Sequence, residues 1–102
     1  LLNPEGVDLI IPSGGFGISV TTVSTGAATL DIGIDDGGDV SSDTLLDGVN
    51  VNAAVGVFDN GVDGGDNGGA VRWPAGYYLV ATASATTAGM VGIYWVNYLR
   101  EP

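Results

Sequence analysis

The chain contains no cysteine and no histidine, and its two basic residues are both arginines, so lysine is absent as well. Without cysteine there are no disulfides, no thiolate nucleophile and no thiolate ligands for a common zinc site. Without histidine neither a Ser-His-Asp triad nor a Cys-His pair can be assembled, and without lysine no Schiff base can form. These absences exclude most of the nucleophilic and proton-transfer chemistry of enzymes.

A pair of carboxylates of the glycosidase type is the one catalytic arrangement that the composition still permits. Such a pair needs two fixed carboxyl groups, one of them with its pKa raised by an apolar pocket. Half of the 12 acidic residues instead fall in the glycine-rich segments 35–39 and 59–69, which we expect to be solvated and mobile. We therefore expect a protein that is not an enzyme.

Positive charge is scarce. The sequence has two basic residues, Arg72 and Arg100, and 12 acidic residues, which gives a net charge of −10. Phosphate backbones and anionic lipid surfaces repel a chain of this charge. The longest apolar run is also far shorter than the ~20 residues of a membrane-spanning helix. We therefore expect other proteins as partners, with no direct binding to nucleic acid and no membrane contact.

Glycine and apolar residues are abundant, with 18 glycines and 45% apolar residues in 102 positions. Glutamine is absent, and Glu5 and Glu101 are the two glutamates, so the residues that favour exposed helices are few. Valine and threonine favour strands, while glycine and asparagine favour the tight turns between them. The composition predicts one all-β domain.

Alternation of apolar and polar residues with a period of two predicts the strands. It is clearest over residues 16–23, 28–34, 49–58, 77–86 and 91–99. We expect the last two to pair as an antiparallel hairpin, whereas residues 42–48 are compatible with a helical turn or with a short edge strand. Six to eight short strands indicate a small antiparallel β-sandwich or jelly-roll-like barrel. Residues 1–15 are expected to form an N-terminal arm or first strand, and residues 16–102 the sandwich.

The last predicted strand is apolar on both faces, and we assign Trp95, on one of them, to the core. One face of a sheet in a small sandwich normally meets water. The second face is therefore a candidate subunit interface, with simple cover by a loop as the alternative. The candidate interface residues, taken from this strand, the N-terminal segment and the region before Pro74, are Leu1, Leu2, Leu9, Ile10, Trp73, Tyr94, Val96 and Tyr98.

The acidic loop 59–69 offers oxygen ligands of the kind that calcium prefers. Its candidate ligands are Asp59, Asp63 and Asp66, and the acidic segment 35–39 is a second possible place. The spacing fails the EF-hand pattern, because the position of the bidentate glutamate is occupied by Ala70. We expect a solvated loop and no cofactor, with a calcium site as the alternative.

Several aromatic side chains with polar groups allow a second class of function, carbohydrate or receptor binding by a β-sandwich with optional calcium. The aromatic residues concerned are Trp73, Tyr77, Tyr78, Tyr94, Trp95 and Tyr98. Core packing is the simpler interpretation of the same residues. A chelator would abolish calcium-assisted glycan binding, whereas it would leave association with other protein subunits unchanged.

From Gly26 onward, over about three quarters of the chain, the sequence resembles small head proteins of tailed phages. The segments that carry the resemblance are TGAATLDIGI at 25–34, LDGV at 46–49, VFDN at 57–60, RWPAGYY at 72–78 and GMVGIY at 89–94. They are compositional and not catalytic, so the resemblance transfers no functional residue.

The resemblance implies a capsid decoration or cement protein on the capsid exterior of a tailed bacteriophage. Such β-rich virion proteins bind the major capsid protein, tie neighbouring capsomers together, and often form homotrimers at local three-fold positions. Weak contacts made by several linked copies then add up through avidity. Under this interpretation residues 1–11 are an arm that lies on the capsid shell or on a sister subunit.

Overall fold

The computed structural model describes residues 1–37, 40–64 and 69–101, and in this part of the chain it contains strands and turns but no helix. No segment of these residues therefore forms a helix that could cross a bilayer. The all-β prediction is confirmed, with nine strands in the described residues where six to eight were expected. They are β1 (Leu9–Ile11), β2 (Phe16–Thr22), β3 (Thr29–Asp35), β4 (Leu46–Asn50), β5 (Gly56–Asp59), β6 (Val71–Trp73), β7 (Tyr78–Ala83), β8 (Val91–Val96) and β9 (Leu99–Arg100).

The strands form three antiparallel sheets of three strands, in the orders β6-β1-β9, β5-β2-β8 and β4-β3-β7. The first two sheets follow one another, because β1 leads directly into β2 and β8 leads directly into β9. The backbone N–H of Asn97 donates to the carbonyl of Gly15 at 2.7 Å and joins them. Together they form one layer and β4-β3-β7 forms the other, with one apolar cluster between them, which gives the β-sandwich that the alternation predicts.

One apolar cluster fills the space between the layers. Every second residue of β2 and β3 points into it, as the period of two requires. Strands β1 and β6 add Leu9, Ile11 and Trp73, each fully buried. The buried apolar residues are Leu9, Ile11, Phe16, Ile18, Val20, Ala28, Leu30, Ile32, Leu45, Leu46, Val49, Val51, Val71, Trp73 and Leu79.

The predicted hairpin between the last two long strands is wrong. Strand β7 pairs with β3, from Asp35 opposite Tyr78 to Leu30 opposite Ala83. Strand β8 pairs with β2 in the other layer, with Ile18 opposite Tyr94. The connection 84–90 thus passes from one sheet to the other. Strands β7 and β8 each pair with a seven-residue, strongly alternating strand, which is longer than the six-residue strand that follows or precedes them in the sequence.

The structure divides one further predicted strand and resolves one open choice. The segment 49–58 is not one strand, because the Asn50 side-chain oxygen accepts bonds from the backbone N–H groups of Asn52 and Ala53 and turns the chain between β4 and β5. The open choice for residues 42–48 resolves against a helical turn, because residues 46–48 begin the edge strand β4 and residues 42–45 are neither helix nor strand. Gly48 has a φ of 65° beside an irregularity in the pairing with β3. The three-residue strand β6 was not predicted.

The N-terminal residues are paired with their own domain. The N–H of Leu79 donates to the carbonyl of Leu1 at 2.8 Å, and the amino group of Leu1 donates back to the carbonyl of Leu79 at 2.8 Å. The buried side chain of Asn3 donates to the carbonyls of Val7, Trp73 and Pro74. Residues 1–3 therefore extend the β4-β3-β7 sheet along the first part of the free edge of β7.

Both arginines hold the chain ends together around sheet β6-β1-β9. Arg72 contacts Asp8 at 2.6 Å and Glu101 at 3.0 Å, and Arg100 contacts Glu5 at 2.6 Å. The hydrogen bond from Arg100 lowers the pKa of Glu5, and the backbone N–H of Ala75, together with Arg72, lowers the pKa of Asp8. Both basic side chains of the sequence are thus engaged by carboxylates near the chain ends.

Candidate interaction surface

The side of sheet β5-β2-β8 that faces away from the core forms an apolar surface, which we call the outer face. The strand register sets its rows: Ser19 lies between Val57 and Ile93, and Gly17 lies between Asp59 and Trp95. Because side chains alternate along a strand, Val91 belongs to the same side as Ile93 and Trp95. The neighbouring residues Ile18, Val20 and Phe58 point the other way, toward the core.

The apolar side chains of the outer face are largely open to solvent. Ile93 is 70% exposed, Val57 62% and Val91 57%. Trp95 is half-buried because its ring lies over Gly17, where a Cβ atom would come within 2.2 Å of the indole. Scattered exposed aliphatic residues are common, but several on one face of one sheet make that face a candidate interaction surface.

Charge is nearly absent from the outer face. Asp59 is the one charged residue in strands β5, β2 and β8. Its carboxylate turns toward the following loop, where Oδ1 accepts bonds from the N–H groups of Gly61 at 2.8 Å and Val62 at 3.2 Å. A chain with a net charge of −10 therefore presents one surface on which two copies can meet without facing like charges.

The predicted interface residues lie in three different environments. Leu9 and Trp73 have no exposed surface and belong to the core, so these two assignments are wrong: both point inward from the β6-β1-β9 sheet. Leu1, Leu2 and Tyr94 are exposed. Ile10, Val96 and Tyr98 are partly buried.

The two tryptophans exchange the roles expected from the sequence. Trp73 is fully enclosed, packs edge-on against Tyr98 at 6.2 Å between ring centroids, and donates its indole N–H to the carbonyl of Tyr77 at 3.0 Å. Trp95, expected in the core, lies on the outer face. The alternation in β8 grouped Val91, Ile93 and Trp95 correctly on one side, but it did not reveal that this side faces solvent.

The candidate calcium ligands are engaged by the backbone as far as the structure describes them. Asp59 caps the turn that follows it, and Asp63 Oδ2 accepts the N–H of Asp59 at 3.2 Å. Asp66 lies outside the described residues, as does Asp39 of the second acidic segment. Within residues 1–37, 40–64 and 69–101 no cluster of three or more potential metal-binding side chains is present.

The aromatic residues considered for carbohydrate binding do not share a face. Trp73 is buried, whereas Tyr78 points outward from β7 and Tyr94 points toward the interior of the other layer.

Comparison of the chain with family models, with curated proteins and with solved structures finds no match. What the protein does is therefore inferred from its own surfaces.

Proposed function

We propose that this protein is a virion structural protein, a decoration or cement protein that binds the outside of a tailed-phage capsid and has no catalytic activity. The observation that carries the proposal is the outer face, a nearly uncharged sheet surface that exposes Val57, Val91 and Ile93 on a strongly acidic chain. The resemblance of the sequence to small head proteins of tailed phages points in the same direction.

Self-association through the outer face follows from its chemistry. Burial of apolar surface contributes about 25 cal/mol per Å², whereas apposition of acidic surfaces opposes contact. Copies of the chain therefore approach most favourably through the outer face, around Ile93 and Val57. We propose a homotrimer in which one part of the outer face of each copy contacts a different part of the outer face of the next copy, so that a closed ring uses one heterologous contact three times.

Contact with the major capsid protein needs a second surface that the trimer leaves free. The exposed residues Leu1 and Leu2 lie along the edge of β7 and supply apolar contacts away from the outer face. Each such contact is small, but three linked copies engage several capsid subunits at once. Avidity then converts weak single contacts into stable bridging of neighbouring capsomers.

The test is the composition of the virus particle whose genome encodes this chain. Purified particles should contain the protein in a fixed stoichiometric ratio to the major capsid protein, and electron cryomicroscopy should show it on the outer capsid surface at three-fold positions. Incubation with EDTA should leave it attached, because the proposed contacts involve no metal.

Two outcomes would contradict the proposal. One is intact particles that lack the protein or carry it in the tail alone. The other is binding of the isolated chain to glycans that disappears on addition of EDTA, which is expected of a calcium-assisted carbohydrate-binding or receptor-binding module.

A further inference from the structure

The sandwich is open along one side, between the edges of β7 and β8. Strand β4 approaches β5 on the opposite side, so β7 and β8 are the edges of their layers on the open side. Ala81 points toward the interior and is nevertheless exposed, and Tyr94, also on an inner face, is 61% exposed. The apolar interior thus reaches solvent through a groove between these two edges.

The groove is apolar and large enough to hold side chains. A cavity of about 360 Å³ is lined by Leu1, Phe16, Ile18, Ile32, Leu79, Ala81 and Tyr94. A second cavity of about 140 Å³ continues beside it toward Met90 and Gly92. Small residues at the rim, Ala81 and Gly92, leave this space unfilled.

Among the residues that the structure describes, the rim formed by β7 carries free backbone hydrogen-bonding groups. The N–H of Ser84 donates to the carbonyl of Thr29, which places residues 78, 80 and 82 in the hydrogen-bonded pairs with β3. The N–H and C=O groups of residues 79, 81 and 83 therefore point away from β3. Leu79 uses its groups to bind Leu1, whereas those of Ala81 and Ala83 face the open side.

We propose that this groove binds an extended segment of another protein chain as an added β-strand, antiparallel to β7 and in line with residues 1–3. Residues 1–3 already show how the edge is occupied, since Leu2 bridges to Tyr78 and the Leu1 side chain reaches the cavity. Directly paired residues of antiparallel strands share a face. The two guest residues opposite Ala81 and Ala83 therefore point into the groove.

These constraints define the chemistry of the guest segment. It is apolar at alternate residues, so that two side chains fill the cavity while its backbone pairs with Ala81 and Ala83. It lacks acidic residues, because the lining is apolar and the chain has a net charge of −10. A small apolar molecule would fill the cavity but leave the N–H and C=O groups of Ala81 and Ala83 unpaired, whereas an added strand would pair them. The pairing of these groups therefore distinguishes the two kinds of occupant. The inference holds whether or not the protein is a virion component.

A tethered guest tests the register. Placing Val-Thr-Val-Thr directly before Leu1 sets the two valines opposite Ala83 and Ala81, whereas Thr-Val-Thr-Val sets them opposite Thr82 and Val80, pointing away from the groove. The first extension should raise Tm by at least about 4 °C, and the second, of the same composition, should raise it by less than half as much. Equal effects of the two extensions, or no effect of either, would overturn the proposal.

A free guest tests binding between chains. Nuclear magnetic resonance of the labelled full chain, titrated with the capped peptide Lys-Val-Thr-Val-Thr-Lys, should shift the signals of Ala81, Ala83 and Tyr94 and slow amide exchange at Ala81 and Ala83 at least about tenfold. Shifts without protection of these amides, or no binding at millimolar peptide, would overturn strand addition.

Matched variants locate the site. Ala81→Leu fills the groove and should abolish peptide binding, whereas Thr82→Leu, one residue away on the opposite face, should retain it. If Ala81→Leu lowers Tm, Ala83→Pro serves instead, because it removes an outward N–H that makes no bond to β3. Binding that survives both groove variants contradicts the assignment.

Discussion

Replacing Trp73 by alanine should lower the free energy of unfolding by about 3–5 kcal/mol, the usual effect of deleting a large buried aromatic side chain. Trp73 has no exposed surface, packs edge-on against Tyr98 and donates its indole N–H to the carbonyl of Tyr77. The variant would lose this burial and the aromatic contact together. Since domains of this size are stable by only about 5–15 kcal/mol, this loss removes a large fraction of the total stability.

Urea unfolding followed by circular dichroism measures the loss, and Trp95→Ala provides the matched control. Trp95 lies half-buried on the outer face, so its truncation should lower the free energy of unfolding by less than about half of the Trp73 effect. If both variants lost equal stability, or if Trp95→Ala lost more, the placement of Trp73 in the core and Trp95 on the surface would be wrong.

Replacing Asn60 by alanine should lower the free energy of unfolding by about 1–3 kcal/mol. Asn60 is 1% exposed, and its side chain accepts the N–H of Phe16 at 3.0 Å and donates to the carbonyl of Pro12 at 3.0 Å. The alanine variant leaves the N–H of Phe16 without a partner near the junction of β1 and β2, whereas the carbonyl of Pro12 keeps its bond from the N–H of Gly15 at 2.8 Å. A buried polar group left unpaired lowers stability by about 1–3 kcal/mol.

The same urea experiment measures this effect, with Asn97→Ala as control. Asn97 is exposed, and its backbone N–H, which binds Gly15, survives the substitution. The control should therefore change the free energy of unfolding by less than about 0.5 kcal/mol. A loss below about 1 kcal/mol for Asn60→Ala would contradict the role assigned to its side chain.

Strands with a regular alternation could be predicted closely from the sequence. The expected segments 16–23 and 28–34 differ by one residue at their ends from β2 and β3, because both strands bury one face and the period of two is complete. Strand β6 was missed because three residues between a glycine-rich loop and Pro74 are too few to show a period. Its place in the sheet depends on pairing with β1, which lies about 60 residues away.

Strand pairing could not be predicted in the same way. Residues 77–86 and 91–99 are close in sequence and both alternate, which favours a hairpin, yet each pairs with a distant strand in a different layer. Pairing is decided by long-range packing, which places Leu79 opposite Ile34 and Phe16 opposite Val96. Alternation within one segment carries no information about such distant partners.

The sequence indicated that β8 contains a candidate interface but not which of its two faces forms it. The two apolar faces of the last strand predicted a candidate subunit interface, with cover by a loop as the alternative, and the structure leaves Val91, Ile93 and Tyr94 exposed. The choice of face was not available from the sequence, because both contain large apolar residues and the decision depends on which side of β2 faces β3. The Trp95 ring can lie over the outside of the sheet because Gly17 has no side chain at that position.

Sedimentation velocity of the isolated chain at micromolar concentration tests most directly whether the protein works by association through the outer face. We predict a species of three times the chain mass, conversion to monomer by Ile93→Lys, and no conversion by Val62→Lys, which adds the same charge at an exposed loop residue outside the three strands. A wild-type monomer at every concentration, or a trimer that survives Ile93→Lys, would contradict the account.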